Sequence, residues 1–267
     1  MTSEAPVAGG RKILIIGIGA GNPEHITIQA INALKQIDVL FLTDKGEDKS
    51  ELLRIRKEIC ERYIPEAAYR VVQFNDPERD RAADATYRTA VEDWHSKRAA
   101  VYEELIREHV GDGECGAFLC WGDPTLYDSI LRIIGPLSGK PAVAFEYEVI
   151  PGISSLQALA ARHRIPLNQL AEPLQVTTGR RLLQTLAESP SVTDVVVVLD
   201  SGCSFKHLAG EDFEIYWGAY LGMPDEILVS GKVRDVGPVI ERLRAEARAR
   251  KGWIMDTYLL RRPARRA

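Results

Sequence analysis

The residues best suited to chemistry in this chain sit in three short loops rich in small side chains. Gly17-Ile18-Gly19-Ala20-Gly21-Asn22-Pro23 follows the apolar run Ile13 to Ile16, which reads as a strand. Glycines there permit positive φ and let a ligand reach the backbone with no Cβ in the way. Trp121-Gly122-Asp123-Pro124 follows the run AFLCW, and Ile150-Pro151-Gly152-Ile153-Ser154-Ser155 follows a third apolar segment. Loops at the carboxyl ends of parallel strands gather on one sheet edge, where open α/β sheets bind ligands. Asp123 can accept from a ligand hydroxyl or ammonium, or cap a helix. Ser154 and Ser155 can cap a helix and also face a ligand.

The first loop admits two readings. A dinucleotide site calls for GxGxxG opening directly into a helix, with an acidic residue about 20 positions on for the ribose. Here Asn22 takes the place of the third glycine and Pro23 delays the helix to Thr27, while Asp44 could still serve as the acid. A nicotinamide-dependent oxidoreductase therefore stays open on this loop alone. The four cysteines form no CxxC pair and have no histidine at zinc spacing, so they read as buried thiols and no metal is expected. Cys203 and His207 lie near Asp200 but lack a third partner for a catalytic set.

The elements that must position these loops follow from periodicity. Strands are expected at 12–17, 39–42, 69–74, 117–121 and 142–150. Between them, a helix over Ile28 to Gln36 carries Thr27 as its cap, Ser50 caps a helix to about Arg62, and one or two helices fill Asp84 to Val110. This βαβ order implies a mostly parallel first sheet. After a helix at Leu156 to His163, further strands at 176–178, 195–199, 214–221, 226–233 and 253–260 alternate with two helices. Short connections among the last three strands predict a mixed second sheet. The fold class expected is thus two α/β domains, 12–150 and 151–262, with a ligand cleft between them and polar tails at 1–11 and 263–267. A formal charge of -4 gives no general attraction to nucleic acid. No apolar run approaches the ~20 residues of a membrane span and no secretion signal is evident, so a cytoplasmic protein is expected.

Taken together, the GxGxGxP loop with Thr27, the GDP loop with Tyr127, the PGxSS loop and Ile165-Pro166-Leu167 resemble the tetrapyrrole methylase family. Any one of these motifs is common; their order and spacing are specific. The resemblance implies S-adenosylmethionine as cofactor, converted to S-adenosylhomocysteine. It implies cofactor contacts at the loop residues Gly17, Gly19, Ala20, Gly21 and Pro23, at Gly122, Asp123 and Leu126, and at Ser154 and Ser155. In the second domain the nearest matches are Asp200 or Ser201 and Leu221 or Gly222.

The stretch 41–60, the Trp94-bearing insert, Trp121 and DSGCSFKHL at 200–208 resemble the family's deacetylating branch. That implies methylation of precorrin-5, a polycarboxylate tetrapyrrole, at ring carbon 1 with loss of acetate; the alternative that the family resemblance leaves open is methylation of a different precorrin carbon. In-line alignment supplies much of such a methyl transfer. Acetate release needs water to attack a ketone carbonyl, for which Asp44 is the candidate base and Lys45 the candidate oxyanion donor. Lys45, Lys49, Arg54, Arg56, Lys57, Arg180 and Arg181 are candidate partners for the substrate carboxylates. The family precedent is a homodimer; Tyr216, Trp217 and Trp253 suit either a subunit face or strand cores.

Overall fold

From Ile13 to Gly17 every residue of the first strand is buried, as an interior strand of a covered parallel sheet must be. In this computed structural model, which describes residues 10–44, 50–65, 68–77 and 87–263, that strand, β1 (Arg11–Gly17), starts a regular alternation. It continues through α1 (Ile28–Leu34), β2 (Val39–Asp44), α2 (Ser50–Tyr63), β3 (Arg70–Asn75), α3 (Tyr87–His109), β4 (Cys115–Cys120), α4 (Ile130–Ser138) and β5 (Phe145–Ile150). The sheet order is β3-β2-β4-β1-β5, with every neighbouring pair parallel. β1 sends its chain past β4 toward β2, and β4 sends its chain past β1 toward β5. Two adjacent strands thus diverge at their carboxyl ends, the switch point at which open sheets take ligands.

Aromatic packing fixes this first core. Phe118 of β4 stacks on Phe41 at 4.7 Å and on Tyr102 of α3 at 4.9 Å, and Phe74 meets it edge-on at 6.3 Å. Thr27 caps α1 by accepting from the Ala30 amide at 3.0 Å. α4 escapes a periodicity reading because Gly135 and Pro136 lie inside it; Ile130, Ile133, Ile134 and Leu137 nonetheless form one buried stripe. The edge strand β5 exposes Glu146, Tyr147 and Glu148, and such charges discourage pairing with another chain.

The remaining elements are α5 (Ser155–His163), β6 (Leu174–Thr178), α6 (Leu182–Glu188), β7 (Asp194–Val198), β8 (Glu214–Ala219), β9 (Ile227–Lys232), α7 (Val233–Lys251) and β10 (Asp256–Arg261). They build a mixed sheet, β6-β7-β10-β8-β9, in which only β6 and β7 pair in parallel. The chain divides into two compact units, Met1–Gly19 with Pro23–Ile153, and Ala20–Asn22 with Ser154–Ala267.

Several expectations need correction. The last three strands are not all closely connected, because the 19-residue α7 joins β9 to β10. Its arginine-rich sequence with Pro238 shows only a sparse buried stripe, Val233, Gly237, Ile240 and Ala247. The strand expected from Ala142 begins at Phe145, after a 3₁₀ turn at Pro141–Val143. That expected from Trp253 begins at Asp256. α1 stops at Leu34, two residues early. Trp217 and Trp253 belong to the core, at 0% and 7% exposure, and Tyr216 donates to Glu214 at 3.0 Å.

The second sheet is pinned by a buried pair at the start of β7. Asp194, 0% exposed, accepts from Arg261 Nε at 2.6 Å and from the Gln169 amide at 2.8 Å. Removing one member of such a pair leaves a buried, uncompensated charge. Asp194→Ala is expected to destabilise this unit by about 3–5 kcal/mol, read as a lowered urea midpoint.

Candidate functional site

At the switch point of the first sheet, the three loops anticipated from sequence come together. The pairing of β1 with β4 runs one bond past β1, Ile18 donating to the Cys120 carbonyl at 3.0 Å, and beyond it Gly19 and Gly122 exchange hydrogen bonds of 3.3 and 2.8 Å in an isolated antiparallel bridge. Gly152 packs between the other two loops so closely that a Cβ would stand 2.2 Å from the Gly122 carbonyl oxygen and 2.9 Å from the Gly17 Cα. Gly19 has φ +86°, and a Cβ there would lie 2.3 Å from the Cβ of His25. These two glycines are dictated by close approach and by backbone conformation, respectively.

Asp123 ties the junction. One carboxylate oxygen accepts from the Gly152 amide at 2.9 Å; the other accepts from the Thr125 amide at 2.8 Å and from the Thr125 hydroxyl. Burial pushes its pKa up, but the hydrogen bonds from Thr125 and Gly152 outweigh this and hold it below the usual value of 3.8. The group is therefore an anion at neutral pH. Leu126, its amide bonded to the Asp123 carbonyl at 3.3 Å, closes the turn, and Tyr127 follows with φ +54°. Tyr127 and Ile153 leave large apolar surface on this edge, 47% and 36% exposed. Ala20 and Gly21 are buried, and Pro23 opens a short 3₁₀ turn to His25.

In the second unit, Ser154 is 5% exposed and spent on α5: its hydroxyl accepts from the Leu156 amide at 3.2 Å, and Gln157 returns a bond to its backbone. Ser155 begins the helix and is partly exposed. β7 and β8 both run antiparallel to the β10 between them, so their carboxyl ends share an edge. The Asp200 carboxylate after β7 is saturated, accepting from Gly202 N, Ser204 N, Ser204 Oγ and Tyr258 Oη at 2.6 to 3.0 Å. Ser201 is exposed. The residue that sequence reading passed over is Leu199, with φ +53° and 68% exposed although it ends the VVVV run. An apolar side chain turned out at a strand end is the signal that could have found it. After β8, Leu221 is buried at 5% exposure, and Gly222, φ +76°, donates to Glu226 at 2.8 Å.

The proposed catalytic and substrate groups are placed less fully. Asp44 ends β2 on the edge that carries the glycine loops, but its side chain, and Lys45 and Lys49 entirely, lie outside the described residues. Arg54 pairs with Glu58 at 3.1 Å and Arg181 with Glu188 at 3.8 Å, Lys57 is exposed, and Arg56 is buried. Cys203 is buried and its thiol is pushed up by that burial, while His207 is exposed.

Residues 12–237 match the model of the Tetrapyrrole (Corrin/Porphyrin) Methylases. The precorrin-6A synthase [deacetylating] of Sinorhizobium sp is 52% identical over 96% of this chain and 97% of its own length. A crystal structure of a cobalamin-synthesis-related protein, CobF, from Corynebacterium diphtheriae superposes with a TM-score of 0.80 at 37% identity, covering 94% of this chain and 98% of that one. The uroporphyrin-III C-methyltransferase of Thermus thermophilus, solved in complex with S-adenosyl homocysteine, shares the fold at 18% identity and a TM-score of 0.57, over 93% of this chain and 96% of that one.

Asp123→Asn puts an amide where a carboxylate receives three donors, and is expected to destabilise by about 1–3 kcal/mol at neutral pH. Because the folded pKa lies below 3.8, the wild-type advantage is complete above that value and disappears as the pH falls through the lower, folded one. Denaturation of both proteins across acid pH reads this; a gap that widened on acidification would contradict the assignment.

Proposed function

Because this chain belongs to the tetrapyrrole (corrin/porphyrin) methylases, we propose that it methylates precorrin-5 at ring carbon 1 and releases acetate. The products would be precorrin-6A and S-adenosylhomocysteine, in cobalamin biosynthesis. What carries this reading is the three-loop junction beside an ionised Asp123, in a chain 52% identical to a deacetylating precorrin-6A synthase. The nicotinamide alternative left open by Gly17 to Gly21 is not favoured by this kinship.

The junction fits the cofactor chemically. Backbone amides and carbonyls, one carboxylate and apolar edges suit ribose hydroxyls, an ammonium and an adenine ring. S-adenosylmethionine supplies an electrophilic methyl group on a sulfonium. We assign its binding to Gly17, Gly19, Ala20, Gly21 and Pro23, to Gly122, Asp123 and Leu126, and to Ser155. Ser154 would act by fixing the start of α5. Leu221 and Gly222 are the proposed contacts after β8. Since the Asp200 carboxylate is saturated, contacts after β7 would come from Leu199 and from the backbone at Asp200 and Ser201. These residues would position donor and acceptor, the main requirement of such a transfer. Asp44 would take a proton from the water that attacks the acetyl ketone carbonyl, and Lys45 would stabilise the resulting oxyanion; the carbon–carbon bond then breaks, its electron pair passing into the conjugated macrocycle that takes up the methyl group, and acetate leaves.

Incubating purified protein with precorrin-5 and methyl-labelled S-adenosylmethionine is expected to give labelled precorrin-6A and one equivalent of acetate. Labelled product without acetate would reassign the chain to methylation elsewhere on the ring. We further propose a cytoplasmic homodimer, for which light scattering should give twice the 29.7 kDa chain mass.

A further inference from the structure

Arg56, on the second turn of α2, is only 8% exposed. Its guanidinium carries five donors and a permanent charge, yet among the described residues its hydrogen bonds reach only neutral carbonyls, Leu52 at 3.0 Å and Leu119 at 3.4 Å. Among the described residues no carboxylate pairs with it. Asp76 and Asp128 act on it from further away. Asp76 is engaged by Arg98 at 2.9 and 3.3 Å, and Asp128 accepts from the Ile130 amide at 2.7 Å. The Cys120 and Tyr102 side chains also act on it, both pushed toward their neutral forms by burial.

Beside it stands a second unmatched donor. The guanidinium lies 6.0 Å from the centroid of the Trp121 ring, and the buried Trp121 Nε1 has no acceptor among the described residues. A buried donor without an acceptor, and a buried cation without an anion, each cost stability. Trp121 follows β4 immediately before Gly122 and Asp123, and Arg56 reaches the same strand end through the Leu119 carbonyl. A fold that needed only a core there would use apolar side chains of the same size.

We propose that Arg56 and Trp121 form a carboxylate-binding site, taking either a carboxylate arm of the tetrapyrrole or the acetate that leaves it. One carboxylate has two oxygens, enough to meet the guanidinium fork and the indole N–H together. The proposal rests on the deacetylating methylase reading above, and gives that site a group for recognising an anion besides Lys45.

Trp121→Phe keeps the ring and removes only the N–H; Arg56→Lys keeps the charge and removes the fork. The full chain and both variants are to be compared by thermal midpoint, S-adenosylhomocysteine affinity, KM for precorrin-5, and inhibition by sodium acetate at constant ionic strength. The expectation is that S-adenosylhomocysteine affinity is retained while either the acetate inhibition constant or KM rises about tenfold in Trp121→Phe, the loss typical of one hydrogen bond to a charged group. A change in acetate inhibition alone identifies the product as the occupant; a change in KM alone identifies a substrate arm. Unchanged acetate inhibition and KM in a folded Trp121→Phe that binds S-adenosylhomocysteine would overturn the proposal, leaving both donors as packing. If the wild type binds no S-adenosylhomocysteine, the underlying methylase reading falls, and this inference with it.

Discussion

A methyl group on residue 152 would stand 2.2 Å from the Gly122 carbonyl oxygen, and that distance governs the working edge of the N-terminal unit. A parallel sheet brings all its carboxyl ends to one side, but loops bearing ordinary side chains would hold one another apart there. With no Cβ at 17 and 152, the chain after β5 settles against the chains after β1 and β4. An isolated antiparallel bridge between Gly19 and Gly122 ties these two loops just beyond the parallel β1–β4 ladder, and Asp123 can then reach the Gly152 amide. The arrangement is rigid because each part presupposes the others: two adjacent strands diverge, a third loop fills the fork, and one carboxylate locks it.

Two aspartates at strand ends show how environment separates roles that sequence leaves alike. Asp123 and Asp200 both follow an apolar run and precede small residues. Asp123 keeps solvent access and one unused lone pair, on the oxygen that binds Gly152, so it can hold its loops and still meet a ligand. Asp200 is 5% exposed and takes four donors, one of them the Tyr258 hydroxyl from β10. It shapes the turn that throws Leu199 outward, and the exposed leucine, not the acid, is what that turn presents.

Sequence revealed most of the N-terminal unit because its signals are local. Apolar runs ending in glycine, a threonine at a helix start and an alternating βαβ order each depend on a few neighbouring residues. What stayed hidden depends on tertiary contact. Gly135 and Pro136 argue against α4, yet its stripe of isoleucines is paid for by burial under α3 and β5. The Arg/Ala/Glu run of α7 carries too few apolar residues for periodicity to set its length, so the sequence predicts a short connection from β9 to β10; the helix is held by Ile240 and Ala247 against its own sheet. Arg56 looked like one more cation in a basic run; only the fold shows it buried while Arg54 and Lys57 face water. In the same way, no periodicity distinguishes Trp217 in a core from a tryptophan on a subunit face.

The position of β10 carries a consequence for how the chain is made. The first sheet has all five strands once Ile150 has been synthesised, so that half can assemble while translation continues. The second sheet cannot. Its central strand, flanked by β7 and β8, is the last of the five to be synthesised, and until Asp256–Arg261 is available each of those two strands lacks the partner it pairs with in the folded sheet. Asp200 meanwhile waits for Tyr258, and Asp194 for Arg261. Vectorial synthesis therefore delivers a finished first half tethered to a second that stays open and exposed to misassociation until its final strand inserts. A chaperone that shields strand edges would have its longest task here.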